Sequence, residues 1–286
     1  MGRVTSGSAG APRKVRAELR ARLRPVVREL RDRGRSGYSN TGEDMVIDRL
    51  LAGVDGPQFC VDIGAGDGRT MSNLLALFER GWRGLSVEMD GESFKSLAAL
   101  HARFPGSSLY RGRIDPDNVL EVLRAARTPA DFGVLSLDID GYDFFVLDRL
   151  LTSYRPAIIC TEVNEKIPPP LRFTVLYSPT YSWDQNHFYG QSTSQLNILC
   201  ERYGYAIVEL QYNNAFLMPA DLAPSSLTPE EAYRSGYADR HDRRAKFPWN
   251  ADMEELQILA PDHAVEFLRA RFAKYEGMYS LDAGED

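Results

Sequence analysis

The stretch Phe59-Cys-Val-Asp-Ile-Gly-Ala-Gly-Asp-Gly68 decides the fold of this chain. An apolar strand leads into a turn that contains three glycines, and a helix is predicted to begin at about Thr70. Glycine adopts positive φ without strain and lets a ligand approach the backbone closely. Because ligands bind after the first strand of an α/β unit, this turn indicates a site for a small molecule that carries a nucleoside.

The composition is that of an ordinary globular protein. The 286 residues are 43% apolar and 26% charged, which suits one domain with appendages. No run reaches the roughly 18 apolar residues of a membrane span, and the amino terminus has no apolar signal-peptide core, so we expect a cytoplasmic enzyme without integral membrane contact. Cys60, Cys160 and Cys200 lack metal-binding or redox spacing and are predicted to be buried thiols.

The net charge of −6 conceals a basic amino-terminal segment. Residues 1–35 contain eleven Lys or Arg against three acids, a surplus of eight that leaves −14 on the rest of the chain. This acidic remainder argues against nucleic acid as a partner. Apolar residues at helical spacing within 13–35 predict an amphipathic helix. Three roles stay open: a dimer arm or a helix packed on the domain, a solvated tail, or a surface that binds a membrane or an anionic substrate.

Apolar runs alternate with helical periodicity along the rest of the chain. Strands are predicted at residues 58–63, 84–88, 107–111, 133–139 and 156–163. Helices are predicted at residues 45–51, 70–80, 91–103, 116–126, 144–151 and 191–203. This alternation predicts a parallel sheet covered on both faces. Two further strands, at residues 205–210 and 213–218, are joined by a tight turn and are expected to be antiparallel.

The region after the fifth predicted strand is irregular and aromatic. Residues 164–183 show no clear period and contain four prolines, which favours a lid, placed at about residues 165–190. Shorter helical pieces are predicted at residues 229–235 and 263–276. We therefore divide the chain into three parts, namely a basic arm at residues 1–37, a ligand-binding domain at residues 38–222 and a helical extension at residues 223–286.

Acidic side chains lie at the ends of two neighbouring strands. Asp138 and Asp140 end the fourth predicted strand, and Glu162 and Asn164 end the fifth. The carboxyl ends of parallel strands share one edge of the sheet, where ligands bind. Oxygen ligands of this kind suit Mg²⁺, which could hold two neighbouring substrate hydroxyls. The alternative is that Asp140 only caps the next helix and that Glu162 only pairs with an arginine.

A single histidine lies among aromatic side chains at the end of the predicted lid. Residues 181–190 read Tyr-Ser-Trp-Asp-Gln-Asn-His-Phe-Tyr-Gly. A reaction that removes a proton from a substrate hydroxyl needs a base, and the ordinary pKa of a histidine such as His187 suits that task. Trp183 and Tyr189 could stack on a sugar face or close the lid. The alternative for His187 is a structural histidine without a catalytic role.

Several of these segments together resemble one enzyme family. The turn reads Asp-x-Gly-x-Gly-x-Gly, which resembles motif I of class I S-adenosylmethionine methyltransferases; a dinucleotide-binding fold is the weaker alternative. The whole set is similar to bacterial FkbM-like enzymes and, more distantly, to metal-dependent macrolide-sugar O-methyltransferases. Mycobacterial enzymes that methylate polysaccharides are a related group. The segments that carry the resemblance lie at residues 38–44, 62–68, 137–143, 162–164 and 183–190.

The resemblance implies a Rossmann-like α/β fold with a seven-stranded, mostly parallel sheet and an antiparallel terminal strand. It implies S-adenosylmethionine as cofactor, with Glu88 accepting hydrogen bonds from the ribose hydroxyls. The cofactor residues would be Asp62, Gly64, Ala65, Gly66, Asp67, Asn73, Glu88, Met89, Arg113, Ile114 and Asp138. The candidate Mg²⁺ ligands are Asp138, Asp140, Glu162 and Asn164. The macrolide enzymes carry paired adjacent aspartates after strand five, from which Glu162-Val-Asn164 departs.

The predicted reaction is methyl transfer from S-adenosylmethionine to a sugar or glycoside hydroxyl. His187 and Asp138 are its catalytic candidates, and the acceptor candidates are Lys166, Trp183 and Tyr189. Two alternatives stay open. The acceptor is a small natural-product phenol, amine or carboxylate, or the fold serves binding without catalysis. The partner is predicted to be a small molecule or an oligosaccharide, and a homodimer is compatible with the sequence.

Overall fold

The computed structural model describes residues 37–284. The amphipathic helix predicted within residues 13–35 lies outside this range, so its three roles stay predictions. From Tyr38 onward the chain forms one compact unit. Among the described residues, no helix combines the length and the apolar character that crossing a membrane requires.

A seven-stranded sheet forms the centre of this unit, in the order β3-β2-β1-β4-β5-β8-β7. The first five strands are parallel, and β8 runs antiparallel between β5 and β7. The Rossmann-like fold class predicted from the sequence is thus confirmed. The strands are β1 (Phe59–Ile63), β2 (Arg83–Glu88), β3 (Ser107–Arg111), β4 (Val134–Leu137), β5 (Ile158–Glu162), β6 (Arg172–Val175), β7 (Tyr205–Gln211), β8 (Asn214–Pro219) and β9 (Tyr279–Asp282).

Helices connect the parallel strands because a parallel pair cannot be joined by a short hairpin. Asp90 caps the helix that begins at Gly91, and Ser192 caps the helix that begins at Thr193, each by accepting backbone hydrogen bonds. Gly204, in the left-handed conformation, ends the second of these helices. The α-helices are α1 (Glu43–Leu51), α2 (Leu75–Glu79), α3 (Gly91–His101), α4 (Val119–Ala125), α5 (Asp143–Leu151), α6 (Thr193–Tyr203), α7 (Pro229–Tyr233), α8 (Arg243–Lys246) and α9 (Pro261–Arg271). A π-helix covers Arg234–Ala238, and 3₁₀ helices cover Pro248–Gln257 and Ala273–Tyr275.

The two faces of the sheet bury separate hydrophobic clusters. Alternation along β1 sends Val61 into the larger cluster, with Leu147 of α5, and Cys60 into the smaller one, with Ile47 of α1. All three cysteines are free and buried, as predicted. Burial on both faces explains why the central strands are continuous apolar runs in the sequence.

The helix α2 begins later than predicted, at Leu75 rather than Thr70. The backbone between β1 and α2 has positive φ at Gly64, Gly66, Gly68 and Met71, which a right-handed helix excludes. The Asp67 carboxylate also accepts hydrogen bonds from the Arg69 and Thr70 amides and so stabilises a turn there. Such local hydrogen bonds compete with the helix that the apolar spacing predicts.

The predicted lid is partly regular structure. Residues 172–175 form β6, which pairs antiparallel with β9 near the end of the chain. The local sequence shows no strand signal of its own because the pairing partner is far away in the chain. The helix predicted at residues 263–276 is also shorter, since α9 ends at Arg271. The extension therefore adds a strand to the segment that follows β5.

Candidate functional site

Backbone hydrogen bonds hold the glycine turn after β1. The amides of Gly64 and Ala65 donate to the Val87 carbonyl oxygen at 3.1 and 2.9 Å, which fastens the turn to β2. Gly64 has a φ of 89°, and a Cβ at this position would lie 1.7 Å from the Asp138 carbonyl oxygen. Only glycine therefore fits where the turn passes the end of β4.

The middle of the same turn leaves room for a ligand. A Cβ placed on Gly66 would meet no described atom within 4 Å. The Gly66 amide donates to Glu88 Oε2 at 2.8 Å, and the Asp90 amide donates to Glu88 Oε1 at 2.6 Å. Each carboxylate oxygen retains a lone pair for a further donor. Glu88 thus lies beside the turn, as its predicted ribose contact requires, and that contact stays a prediction.

Asp62 is buried in the centre of the sheet. Its partners in register are Ser86 on β2 and Ser136 on β4. Burial raises the pKa of Asp62 to about 7; the hydrogen bond with Ser136 opposes this shift, and the Glu88 charge adds to it. The carboxyl group therefore changes ionisation near neutral pH.

The other predicted cofactor residues differ in their exposure and in their contacts. Asn73 Nδ2 donates to Ser136 Oγ at 3.2 Å, whereas Ile114 is buried in the core and Met89 is 56% exposed. Arg113 donates to the Tyr181 carbonyl oxygen at 2.7 Å and so connects the segment after β3 to the lid. The roles of Arg113 and Ile114 in binding the cofactor stay predictions.

Asp138, Asp140 and Glu162 come together at the carboxyl edge, and we call them the acidic cluster. One carboxylate oxygen from each lies within 4.8 Å of the others. Asp140 has a φ of 53° and does not cap α5, contrary to the alternative drawn from the sequence. Instead the Asp143 carboxylate accepts from the Ile139 and Gly141 amides, both at 2.9 Å, and holds the bend.

Among residues 37–284, no lysine or arginine forms an ion pair with the acidic cluster, and Lys166 pairs with Glu165 instead. Burial raises the pKa of Asp138, and the charges of Asp140 and Asp143 raise it further. Burial also raises the pKa of Glu162, together with the charge of Asp138. Glu162 is 6% exposed, and its Oε2 has no hydrogen-bond partner among residues 37–284. A hard cation would balance the charge and satisfy this oxygen, so the donor set fits Mg²⁺.

Asn164 lies next to the acidic cluster in the chain but is held by the lid. Its Nδ2 donates to the His187 and Tyr189 carbonyl oxygens, both at 2.9 Å. Its Oδ1 is buried and has no partner in the described part of the chain. The amide therefore connects the end of β5 to the lid while one oxygen stays available, and its predicted role as a metal ligand stays a prediction.

His187 pairs with a carboxylate that the sequence analysis did not identify. Its Nε2 lies 3.0 Å from Asp252 Oδ1, and Asp252 also pairs with Arg271. Burial lowers the pKa of His187 to about 4, and the charges of Lys166 and Arg271 lower it further. The ring is therefore neutral at pH 7. With Nε2–H donating to Asp252, Nδ1 is left as the basic nitrogen.

Lys166 and Tyr189 belong to a buried polar group around Glu165, which we call the Glu165 hub. Lys166 Nζ donates to Tyr189 Oη at 2.6 Å and to Glu165 Oε1 at 3.2 Å, and Tyr189 Oη donates to Glu165 Oε2 at 2.7 Å. Asn250 of the extension donates to Glu165 Oε1 at 2.7 Å. Burial lowers the pKa of Lys166, whereas the charges of Glu165 and then Glu162 raise it. The hub thus connects the extension to the segment after β5.

Glu165, Asn250 and Asp252 were not predicted from the sequence. Glu165 stands between two predicted site residues, and an acid beside a lysine was a visible signal. Asn250 and Asp252 have no local signal, because their role depends on how the extension folds over the edge of the sheet. Aromatic packing reinforces that arrangement, since the Phe188 and Tyr275 rings stack at 3.9 Å between centroids. Trp183 packs edge-on against Tyr189 and donates to the Asn186 carbonyl oxygen.

A cavity of about 330 Å³ lies at the opposite edge of the sheet. Its lining includes Gln58, Trp82, Gly133 and Ala157, which precede β1, β2, β4 and β5. None of the predicted site residues lines it. Ligands of open α/β sheets bind at the carboxyl ends of the strands, so this cavity is not part of the candidate site.

No protein-family model matches the chain, and no curated protein matches it. Solved structures of similar shape include an amino pentose methyltransferase from Micromonospora echinaspora, involved in calicheamicin biosynthesis, at 12% identity and a TM-score of 0.40, over 68% of this chain and 96% of that one. The S-adenosylhomocysteine-bound amino-terminal domain of EvdMO1 has 10% identity and a TM-score of 0.41, over 63% and 82%.

A third similar structure is an O-methyltransferase family protein from Burkholderia thailandensis. It has 12% identity and a TM-score of 0.38, over 65% of this chain and 57% of that one. Similarities this distant do not bear on activity or substrate. The features that bear on function are therefore the strand order, the glycine turn and the side chains at the carboxyl edge.

Proposed function

We propose that this protein is an S-adenosylmethionine-dependent O-methyltransferase of the FkbM-like kind, acting in the cytoplasm on a sugar or glycoside hydroxyl with the help of Mg²⁺. The observation that carries the proposal is the position of the acidic cluster. The Asp138 carbonyl oxygen faces Gly64 of the turn, while its carboxylate belongs to the cluster. A cofactor site and an acceptor site would therefore meet at Asp138.

The glycine turn supplies the cofactor side of the proposal. Gly66 leaves open space and has Glu88 beside it, so a nucleoside with two ribose hydroxyls would find an acceptor carboxylate at the turn. Asp62 lies below the turn with a pKa of about 7 and would be held ionised by a cationic ligand. S-adenosylmethionine carries such groups and would supply the methyl group.

The acidic cluster supplies the acceptor side. Mg²⁺ held by Asp138, Asp140 and Glu162 would lower the pKa of a bound hydroxyl and orient it. His187 Nδ1 would then take the hydroxyl proton, and Asp252 would balance the positive charge that forms on the ring. The acceptor oxygen forms a bond to the methyl carbon as the carbon–sulfur bond breaks, so positioning supplies much of the acceleration.

The side chains around this edge favour a polar, hydroxyl-rich acceptor. Lys166 donates to Tyr189 Oη, and Trp183 packs edge-on against the Tyr189 ring. A flat aromatic surface next to charged and amide groups suits a sugar ring, which has apolar faces and polar edges.

The test is a methyl-transfer assay with labelled S-adenosylmethionine. We expect label to enter hexose or deoxysugar glycosides in the presence of Mg²⁺ and to be lost on treatment with EDTA. A parallel panel of phenols, amines and carboxylates tests the other acceptor class. Transfer to that panel alone would contradict the sugar assignment, and EDTA-resistant transfer would contradict the metal.

Calorimetry with S-adenosylmethionine tests the cofactor assignment separately from turnover. We expect binding by the wild-type chain and loss of binding in a Gly66→Val variant, whose side chain would occupy the open space at the turn. A Gly81→Val variant is the matched control, since Gly81 also has positive φ and open space but lies outside the site. Absence of binding by the wild type would contradict the proposed function as a whole.

A further inference from the structure

Asn213 contacts the acidic cluster from the turn between β7 and β8. Its Nδ2 donates to Glu162 Oε1 at 3.1 Å. Two oxygens of this pair, Glu162 Oε2 and Asn213 Oδ1, are buried and have no hydrogen-bond partner among the described residues. Leaving a buried polar atom without a partner is unfavourable, so two such atoms on one hydrogen-bonded pair point to a ligand.

The turn that carries Asn213 is held from several sides. The Val163 amide donates to the Asn213 carbonyl oxygen at 2.8 Å, directly after Glu162. Tyr212 has a φ of 56°, its amide donates to the Gly236 carbonyl oxygen at 3.1 Å, and its hydroxyl donates to Asp242 at 2.6 Å. Asn213 is therefore fixed beside Glu162 before any ligand binds.

We propose that Asn213 is a positioning residue of the cation site formed by the acidic cluster. This inference rests on the Mg²⁺ of the proposed function. By donating to Oε1, the amide fixes the Glu162 carboxylate and leaves Oε2 for the ion. The buried Asn213 Oδ1 would be free to accept a hydrogen bond from water bound with the ion, because Mg²⁺ in proteins usually keeps several waters.

A purely structural role for Asn213 does not explain why Glu162 Oε2 and Asn213 Oδ1 are both buried without a partner among the described residues. A turn asparagine commonly bonds to its own backbone or faces solvent, whereas the Asn213 amide is directed at a buried carboxylate. Groups that hydrogen-bond to metal ligands orient them, and their replacement typically weakens metal affinity about 10–100-fold. Asn213 has the contacts of such a group.

The neighbouring Asn214 offers a matched control. Its Nδ2 also donates to a buried carboxylate, Glu43 Oε1, at the same distance of 3.1 Å. Glu43 does not belong to the acidic cluster. Asn213→Ala and Asn214→Ala therefore each remove an amide-to-carboxylate hydrogen bond, but only the first removes one at the proposed cation site.

The test is calorimetric titration of Mg²⁺ into the full chain without acceptor, at pH 8, with circular dichroism melting to verify folding. We expect Asn213→Ala to bind Mg²⁺ about 10–100-fold more weakly than the wild type and Asn214→Ala to bind it as the wild type does. Asn213→Ser, which is too short to reach Glu162, provides the same comparison if the alanine variant does not fold.

The outcomes separate this inference from the proposed function. Equal Mg²⁺ affinity in Asn213→Ala and the wild type overturns the role of Asn213 while the cation site stands. Equal weakening in both variants overturns it too, because the effect is then general. A wild type that binds S-adenosylmethionine but no Mg²⁺ overturns the cation site and the role of Asn213 together, and leaves the cofactor assignment intact.

Discussion

The two halves of the candidate site are built in different ways. The turn at residues 62–68 is one short run of sequence, and backbone hydrogen bonds hold it, from the Gly64 and Ala65 amides to the Val87 carbonyl of β2, with positive φ at its glycines. The acceptor side is held by side chains from distant segments, with Asn250 on Glu165, Asp252 on His187 and Asn213 on Glu162. One half is local in sequence, and the other is assembled by tertiary structure.

Because of this difference, the two halves should respond to residue replacements in different ways. A backbone-built turn tolerates changes of its exposed side chains but not an added Cβ, since the space is set by the chain itself. A side-chain assembly keeps its backbone when one group is removed, but leaves charges or polar atoms buried without partners. The two halves should therefore respond differently to an added Cβ and to the loss of one side-chain partner.

The largest effect is expected at the Glu165 hub. Lys166→Met removes the positive partner of Glu165, and both side chains are 1% exposed. Breaking a buried ion pair typically lowers the free energy of unfolding by about 3–5 kcal/mol, because the remaining charge stays buried. Urea denaturation measures the loss. A Lys166→Met, Glu165→Gln double variant should recover part of it, and a single variant within about 1 kcal/mol of the wild type would contradict the hub.

The next effect is expected at the glycine turn. Gly64→Ala adds a Cβ that would lie 1.7 Å from the Asp138 carbonyl oxygen, at a φ of 89°. Left-handed strain and overpacking together should lower the free energy of unfolding by about 3 kcal/mol and abolish binding of S-adenosylmethionine. Gly277→Ala has a similar φ but no atom within 4 Å, and should lose about 1 kcal/mol. Equal losses in the two variants would show that contact with Asp138 is unimportant.

The sequence was sufficient to predict the local half. The run from Phe59 to Gly68 shows its strand and turn directly, because glycine spacing and apolar runs are properties of adjacent residues. The parallel sheet and the meeting of Asp138, Asp140 and Glu162 followed too, since parallel strands place their carboxyl ends at one edge. The start of α2 was wrong because side-chain hydrogen bonds of Asp67 favoured a turn.

The assembled half could be predicted only in part. His187 was proposed as a candidate base from its chemical type, but its partner Asp252 is 65 residues away and its position depends on how the extension packs. The same holds for Asn250 and for β6, whose strand partner is β9. Contacts between distant segments depend on tertiary packing, which the periodicity of apolar residues within one segment does not predict.

Replacing Glu162 with glutamine separates the effect of charge from the effect of packing in the acidic cluster. Glu162→Gln preserves the shape but removes one carboxylate, and should lower turnover about 100-fold by weakening Mg²⁺ binding. The pKa of Glu162 is raised in the folded protein, so as pH rises above about 4.5 the group loses its proton in the unfolded chain before it does so in the folded one. The metal-free wild type therefore loses stability as pH rises from about 4.5 toward the raised pKa. The Glu162→Gln variant should lose less stability over the same pH range, because its amide does not ionise.

Thermal melting with and without Mg²⁺ checks this expectation. At pH 8 the ion should raise the melting temperature of the wild type more than at pH 5, because it binds ionised carboxylates and displaces protons. The same Mg²⁺ effect in Glu162→Gln as in the wild type would remove Glu162 from the cation site. A Glu209→Gln variant is the control, since that glutamate pairs with Arg49 outside the cluster.

The smallest effect is expected at the carboxylate behind the candidate base. His187→Ala should lower turnover at least about 100-fold, whereas Asp252→Asn should lower it about tenfold, because the ring stays in place but its positive charge is no longer balanced. Because the pKa of His187 is about 4, the ring is neutral from pH 5 upward. Neither variant should therefore show a fall in turnover toward acidic pH within that range.

A double replacement decides whether Asp252 acts through His187. Asp252→Asn should have no further effect in the His187→Ala background, since the charge that it balances no longer forms. Asp184→Asn is the matched control, because Asp184 is similarly exposed, lies in the lid and pairs with Lys274 instead. Effects of His187→Ala and Asp252→Asn that simply multiply would make Asp252 a support of the extension, and the acceptor side would then resemble the cofactor side in depending on architecture alone.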